Sequence, residues 1–352
     1  MPDSGKPSLF ALYSWFVLAY NLLVILWGSV VRATGSGAGC GEHWPLCQGV
    51  VIPHGAQIAT LIEFAHRASS GVAVVLVIGL VYLGLRSFPS GHPVRRYALA
   101  ALCFTLMEGL IGAGLVLFGW TGTNTSPARF VVLAIHLANT FMLLAALALT
   151  ARAAGTAEVL QSAPSARSPS GRYPGPEHQA GSRQVAYGLA LLGTLALAIT
   201  GTVAALADTL FPAASLAQGL SRDFAATSSH LLRVRVIHPI LAVIVGIFLL
   251  AVAVNAWSAA PSSAARRAAG SLFCLVILQS VLGLLNLLLL APIAVQVVHL
   301  LVADLVWLAL VLLAAEALGS RTIVGVQSSE APPTLKPSAV GTSATPTWSP
   351  RR

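Results

Sequence analysis

LIEFAHRASSG, residues 61–71, places a carboxylate, an imidazole and a guanidinium at the start of a long apolar run. Residues 72–85 behind it carry no charge, so a helix that begins near residue 59 is long enough to span a bilayer. Glu63, His66 and Arg67 lie three or four positions apart and share one helical face. Ionisable groups at membrane depth are costly and usually mark a function. The stretch therefore predicts a membrane helix with a functional site in its first turns.

The composition is that of a polytopic membrane protein. Hydrophobic residues make up 56% of the chain and charged residues 9%, and the mean hydropathy is +0.82. Apolar runs predict eight transmembrane helices, at residues 10–31, 59–85, 97–118, 130–151, 184–207, 230–257, 270–290 and 292–318. The first run is too long for a signal peptide and lacks a small-residue cleavage pattern. The predicted fold class is thus an all-α polytopic membrane protein.

The net charge of +9 does not indicate a nucleic-acid partner, because in a membrane protein the placement of charges matters more than their sum. With the N-terminus inside, most of the 20 Lys and Arg residues fall on the inner side. This distribution predicts a plasma-membrane protein of a bacterium with both termini in the cytoplasm. The exceptions on the outer side are Arg32, Arg67, Arg129, Arg222, Arg233 and Arg235.

The Gly-rich segment RATGSGAGCGEHWPLCQG, residues 32–49, is predicted to be an outer loop that carries Cys40 and Cys47. In an oxidising compartment, two cysteines this close in an exported loop most simply form a disulfide. A Cys/His metal site that uses His43 or His54 is the alternative, but the loop lacks a convincing set of four ligands.

Two segments differ from the apolar spans. Residues 153–183 are rich in Ser, Pro, Gly and Ala and predict a flexible cytoplasmic linker, and residues 319–352 predict a disordered cytoplasmic tail. The linker separates a first half, residues 1–152, from a second half, residues 184–318. Within the first half, Glu108 lies inside the third span, where we expect it to pair with a polar group of a neighbouring helix.

The second half repeats the first in the same direction through the membrane. The aligned pairs are Gly28 with Gly201, His66 with His238, Gly112 with Gly283, and His136 with His299. Their spacings are 173, 172, 171 and 163 residues. Parallel duplication predicts two tandem four-helix bundles related by a pseudo-twofold axis along the membrane normal.

The four aligned histidines lie at one depth, about 12 Å from the outer boundary at 1.5 Å per residue. One such histidine alone is more simply a polar group hydrogen-bonded between helices. Two symmetry-matched pairs weaken that interpretation, since facing histidines hold haem iron axially in helical bundles. The outer arginines then become candidate contacts for haem propionates, although snorkelling at the interface is the simpler alternative for some. These candidates are Arg32, Arg67, Arg129, Arg233 and Arg235.

The two halves differ beside the first histidine of each pair. The position of Glu63 corresponds to Arg235, and that of Arg67 corresponds to Pro239. We therefore expect a carboxylate near the histidines of the first half and only cations and apolar residues at that place in the second. This asymmetry favours a reacting site beside a relay site. Stabilisation of Glu63 by the dipole of its own helix is the alternative.

The loop at residues 32–49, followed by IEFAHR at residues 62–67, resembles the haem A synthase family, membrane enzymes that convert haem O to haem A for terminal oxidases. The cysteine pair, the Trp-Pro and the Glu-x-x-His-Arg motif all match, and the similarity covers all eight spans. It implies that His66 and His136 flank the substrate haem O, and that His238 and His299 ligate a resident haem b as cofactor. It also implies that Glu63 is functional and that Cys40 and Cys47 are bonded.

The reaction so implied is oxidation of one ring methyl of haem O to an alcohol and then to a geminal diol, which loses water to leave a formyl group. Candidate partners are the lipid bilayer, haem O synthase, terminal-oxidase assembly factors and a second copy of the chain. Two other classes remain open. A dihaem b-type electron-transfer cytochrome would explain the histidine pairs but not Glu63, and a non-haem transporter would explain the duplication but not the histidines.

Overall fold

The computed structural model describes residues 8–54, 57–162, 177–225, 230–260 and 263–319, and these ranges are helical apart from their connections. A single turn of 3-10 helix, Ser36–Ala38, follows the first helix. The α-helices are α1 (Leu9–Ala33), α2 (Ile58–Ser87), α3 (Pro93–Leu117), α4 (Pro127–Ser162), α5 (Glu177–Leu210), α6 (Leu216–Phe224), α7 (His230–Ser258), α8 (Ser263–Leu288) and α9 (Ile293–Gly319).

Eight of these helices are long and apolar enough to cross a membrane, which confirms the eight predicted spans. The remaining helix, α6, has nine residues and lies in the connection between α5 and α7. Hydropathy could not indicate α6, because a helix this short cannot cross a bilayer and carries polar residues throughout. The all-α fold class is confirmed for the described residues.

Several helices begin at residues that satisfy their first free backbone N–H groups. Ser8 accepts a hydrogen bond of 3.2 Å from the N–H of Ala11 at the start of α1, and Ser215 accepts one of 3.2 Å from Gln218 at the start of α6. Pro93 occupies the first position of α3, where its missing N–H costs nothing. The polar residues between the apolar runs therefore determine where the spans begin.

The first four helices pack into a bundle in which α1 and α3 each contact both α2 and α4. Its centre consists of fully buried aliphatic side chains. Val17, Val77, Leu80, Leu144 and Leu147 are all 0% exposed. In the second half, α7 packs against both α5 and α8.

The two halves meet through the first and fourth spans of each. The indole N–H of Trp307 on α9 donates a 2.7 Å hydrogen bond to the carbonyl of Phe141 on α4. Arg152 on α4 pairs with Glu316 on α9 at 3.0 Å. At the other end of the helices, Arg32 on α1 bonds to α5 and α9. The pseudo-twofold relation between two tandem bundles stays a prediction.

Helices extend into both ends of the predicted linker at residues 153–183, because α4 continues to Ser162 and α5 begins at Glu177. The middle of that linker, residues 163–176, lies outside the described residues, and so does the predicted tail from residue 320 onward.

Candidate functional site

The four repeat-aligned histidines lie on α2, α4, α7 and α9, the second and fourth spans of each half. His66 on α2 and His136 on α4 are close enough to interact electrostatically. His299 on α9 interacts in the same way with His238 on α7. Each half therefore brings its own two imidazoles into one neighbourhood.

Glycines make room for three of these four rings. A Cβ atom on Gly28 would lie 3.0 Å from Cε1 of His66, and one on Gly201 would lie 2.9 Å from Cε1 of His238. A Cβ atom on Gly283 would lie 3.3 Å from Cε1 of His299. These glycines are needed because any side chain there would push the imidazole away. The fourth aligned glycine, Gly112, has no described atom within 4 Å of its Cβ position.

The histidines keep nitrogen atoms available for coordination. Nδ1 of His66 and Nδ1 of His299 are buried and have no hydrogen-bond partner among the described residues. Nδ1 of His238 lies 3.2 Å from the hydroxyl of Thr200, which leaves its Nε2 for another ligand. Paired imidazoles whose buried nitrogens have no partner among the described residues fit a haem group held through its iron.

His136 is held from one side by Glu108, which sequence analysis expected to pair with a polar group of a neighbouring helix. Oε2 of Glu108 on α3 lies 2.8 Å from Nδ1 of His136. Its Oε1 accepts a 2.9 Å hydrogen bond from the side-chain amide of Asn139. The expectation is confirmed, and the polar partner is one of the four histidines.

Gln279 on α8 contacts His299 in the second half, with Nε2 of the amide 3.2 Å from Nε2 of the ring. Gln279 is the repeat counterpart of Glu108, at the same spacing of 171 residues that relates Gly112 to Gly283. Adding that spacing to Glu108 would have identified Gln279 from the sequence. Each half thus places a residue of its third span against the histidine of its fourth span.

Glu63 is 3% exposed, and both its carboxylate oxygens are engaged. Oε2 accepts a 2.7 Å hydrogen bond from the backbone N–H of Cys40. Oε1 accepts from the guanidinium of Arg67, one turn later on α2. Arg67 in turn donates to the backbone carbonyls of His43 at 2.5 Å and Leu46 at 2.8 Å. Glu63 and Arg67 together attach the loop to the helix that carries His66.

The loop is closed by the Cys40–Cys47 disulfide, which confirms the predicted bond. The hydroxyl of Thr60 donates a 2.8 Å hydrogen bond to the carbonyl of Gly39. A Cβ atom on Gly39 would lie 2.5 Å from the backbone of Ala59, so only glycine fits there. Because the sulfurs of Cys40 and Cys47 are bonded to each other, neither thiolate is left for the alternative Cys/His metal site.

Arg235 occupies the position that corresponds to Glu63, and it pairs with two carboxylates. It contacts Asp208 on α5 at 2.7 Å and Asp223 on α6 at 2.5 Å. The expectation of only cations and apolar residues at this place is therefore wrong. Sequence spacing missed these two carboxylates because they lie on other elements: the packing of α5 against α7 brings Asp208 to Arg235, and the packing of α6 against α7 brings Asp223.

Other predicted propionate contacts also hold protein groups. Arg32 donates to the carbonyl of Ala205 at 2.7 Å and to the side chain of Gln296 at 3.0 Å. Arg129 is 4% exposed and donates to the carbonyls of Gly122 at 2.8 Å and Asn124 at 2.6 Å. Propionate binding by these arginines stays a prediction.

Arg233 has a different setting, because its side chain is exposed. It lines a surface cavity of 280 Å³ together with Asp223, Val236, Ile237 and Ile240. These α7 residues follow one helical face, and His238 lies on another face of the same helix. Arg233 is therefore the predicted arginine that the geometry associates least with the histidines.

Residues 11–311 match the model of the COX15-CtaA family, described as "Cytochrome oxidase assembly protein". A Thermus thermophilus protein named Protoheme IX farnesyltransferase is 47% identical over 306 residues, which are 87% of this chain and 48% of that protein. Heme A synthase of Exiguobacterium sibiricum is 38% identical over 108 residues, 31% of this chain and 36% of that protein. Heme A synthase of Alkalihalophilus pseudofirmus is 36% identical over 138 residues, 39% of this chain and 44% of that protein. The chain thus spans about half the length of the Thermus relative, and less of the two synthases.

Proposed function

Because the chain belongs to the COX15-CtaA family of cytochrome oxidase assembly proteins, we propose that it is a haem A synthase. It oxidises a ring methyl group of haem O to a formyl group. The observation that carries this proposal is the pair of imidazoles in each half, with nitrogens free for iron and glycines beside the rings. The relatives named Heme A synthase support the same activity.

The two histidine pairs take different haems in this proposal. His66 and His136 flank the substrate haem O, in the half that also carries Glu63. His238 and His299 ligate a resident haem b, which supplies one-electron chemistry when bound. Two successive hydroxylations of the substrate methyl, each a two-electron oxidation that requires an external oxidant and an oxygen source, give a geminal diol, which loses one water to leave the formyl group.

Glu63 acts in this proposal as a fixed negative charge near the reacting edge of the substrate. Oxidation of a methyl carbon builds positive character, which a carboxylate stabilises. Both oxygens of Glu63 already accept hydrogen bonds from Cys40 and Arg67, so the carboxylate is held in place before the reaction begins. Oε2 accepts one hydrogen bond and keeps a second lone pair, so the same carboxylate also retains the capacity to accept a proton.

Arginine side chains are the proposed contacts for the haem propionates. These are Arg32, Arg67, Arg129 and Arg235, and each would exchange a protein partner for a propionate oxygen. The protein lies in a bacterial plasma membrane with both termini in the cytoplasm, in keeping with the distribution of its basic residues. A protohaem IX farnesyltransferase supplies the farnesylated haem substrate, which the name of the Thermus relative supports.

A dihaem b-type electron-transfer cytochrome is the second candidate, and the presence of a histidine pair in both halves favours it. Extraction and chromatographic identification of the haems from the purified full chain separates the two. Haem O or haem A together with haem b supports the synthase, and haem b alone supports the cytochrome. A protein without haem would contradict both candidates.

A further inference from the structure

The carboxylate of Glu108 is held beside one nitrogen of the His136 ring, Nδ1. Oε2 lies 2.8 Å from Nδ1 of His136, and Oε1 lies 2.9 Å from both the amide of Asn139 and the hydroxyl of Thr140. Three contacts leave the carboxylate little freedom to turn. With Nδ1 facing Glu108, Nε2 is the nitrogen that remains for an iron ion.

The second half has an amide at the corresponding sequence position, but it faces the other ring nitrogen of its histidine, Nε2, which leaves Nδ1 for iron. Gln279 lies 3.2 Å from Nε2 of His299, and its own Oε1 is buried without a hydrogen-bond partner among the described residues. An amide carries no charge, and in the second half no counterpart of Asn139 or Thr140 fixes it, because Val302 and Ala303 occupy those positions. The two fourth-span histidines therefore have neighbours of different charge and different rigidity.

A carboxylate that accepts the second N–H of a coordinated imidazole makes the ring a stronger electron donor to the metal and fixes its orientation. An amide provides much less of this effect because it is neutral. Stronger donation stabilises the ferric state, since the more positive iron gains more from it. The two halves should consequently hold iron at different redox potentials.

We propose that Glu108 is the positioning residue that fixes His136 as an iron ligand, and that the Glu108-to-Gln279 exchange gives the first half a stronger ferric preference than the second. This inference rests on the proposed function, because it requires haem in both halves. It gives the third span of each half, through Glu108 and Gln279, a role in setting the redox potential. The histidines and Glu63 lie on other spans.

An optical redox titration of the purified full chain, produced together with a haem O supply so that both sites are filled, tests this proposal. Glu108→Gln is expected to weaken the ferric preference of one haem about tenfold, which raises one of two midpoint potentials by about 59 mV. Gln279→Glu is expected to lower the other midpoint potential. Each substitution should move one component, and the two should move different components.

Thr140→Val is the matched control. It removes the hydroxyl beside Oε1 of Glu108 and leaves the contact between Oε2 and His136 unchanged. Both midpoint potentials should move less in this variant than one of them does in Glu108→Gln, because the carboxylate keeps its charge and its contact with Nδ1 of His136. A shift equal to that of Glu108→Gln would mean that Glu108 acts through α3–α4 packing and would overturn the proposal.

Three further outcomes test the role of Glu108 or the proposed function. Full haem content in Glu108→Gln with both potentials unmoved overturns the role of Glu108 and leaves the proposed function intact. Absence of haem from the unaltered chain overturns the proposed function itself. If Glu108→Gln fails to fold, Gln279→Glu decides alone, because an unmoved potential in that variant contradicts the proposed effect of charge.

Discussion

The two halves of the molecule attach their first connection to the histidine-bearing helix with opposite charges. In the first half, Glu63 on α2 accepts hydrogen bonds from the disulfide loop and from Arg67. In the second half, Arg235 on α7 donates to Asp208 and Asp223. The charged position lies one turn before the histidine in both cases. Both halves therefore anchor a connection at this position, but they use groups of opposite charge to do so.

Glu63 both anchors the loop and carries a negative charge, and the second half shows that these two roles are separable. Anchoring of the connection does not require a carboxylate on the helix, because Arg235 provides it with the reverse polarity. The first half carries a negative charge on the helix of its first histidine, at Glu63. In the second half the carboxylates lie on α5 and α6 instead, at Asp208 and Asp223. The difference between the halves is consistent with the proposal that the charge of Glu63, rather than its anchoring, serves the chemistry of the substrate.

The largest expected effect concerns the second histidine pair. His238→Ala and His299→Ala should each remove most of the haem b, because loss of one axial ligand opens the iron to weaker ligands. His66→Ala is the control in the other half and should leave haem b in place. Haem content and the optical spectrum of the purified protein provide the measurement. A six-coordinate low-spin haem b spectrum of full intensity in either of the first two variants would contradict the assigned ligation.

Next in size is the effect of Glu63→Gln on turnover. We expect formyl production to fall on the order of 10²-fold, because the fixed charge near the substrate is lost. Haem O or its alcohol should accumulate while the bound haem content stays close to normal. Chromatography of haem O, the alcohol and haem A in this one variant gives the ratio. An unchanged yield of haem A would leave Glu63 with the anchoring task alone.

Glycine substitutions compare the space beside the rings in the two halves. Gly28→Ala and Gly201→Ala each place a methyl group about 3 Å from an imidazole carbon. Overpacking of this kind costs about 1–3 kcal/mol, so haem affinity in the affected half should fall about 5- to 150-fold.

Gly112→Ala is the matched control for both glycine variants, because its Cβ meets no described atom within 4 Å. It should leave haem affinity unchanged and add slightly to helix stability. Haem titration of the three purified variants provides the measurement. Equal losses of haem affinity in all three variants would mean that the glycines affect helix packing rather than the position of the imidazole rings.

The smallest expected effect on haem follows replacement of Cys40 and Cys47 by Ser. Closure of so short a ring contributes on the order of 2–3 kcal/mol, and that contribution acts on the loop. The hydrogen bonds of Glu63 and Arg67 to the loop backbone remain, so the membrane helices and the haem content should be preserved. Limited proteolysis should cut the loop faster than in the parent chain. Mass spectrometry under thiol-blocking, non-reducing conditions must also find no free thiol at these positions in the parent.

Hydropathy and repetition were enough to predict the eight spans and the aligned histidines, because both depend on local composition and on spacing along the chain. The pairing of Cys40 with Cys47 was also predictable, since the two residues are close in sequence. The sequence motif draws attention to Glu63, but it does not predict the contact of Glu63 with the N–H of Cys40. That contact depends on the path of a Gly-rich loop, which periodicity does not determine.

Contacts between distant elements could not be predicted from single positions. Arg235 meets Asp208 because α5 packs against α7, and it meets Asp223 because α6, a helix too short for hydropathy to detect, also packs against α7. The partner of Glu108 was predicted by chemical type but not by residue. The sequence repeat alone relates Glu108 to Gln279. The structure was needed to show that each of them packs against a histidine.

Arg32 has a consequence for the order of events during synthesis. It lies near the end of the first span, yet its partners Ala205, Thr209 and Gln296 follow 173, 177 and 264 residues later. A ribosome that adds about 5–20 residues per second needs roughly 13–53 s to reach the last of them. During that interval the guanidinium has to be accommodated by lipid headgroups, water or the insertion machinery. The first span must therefore enter the membrane with a charge whose final partners do not yet exist.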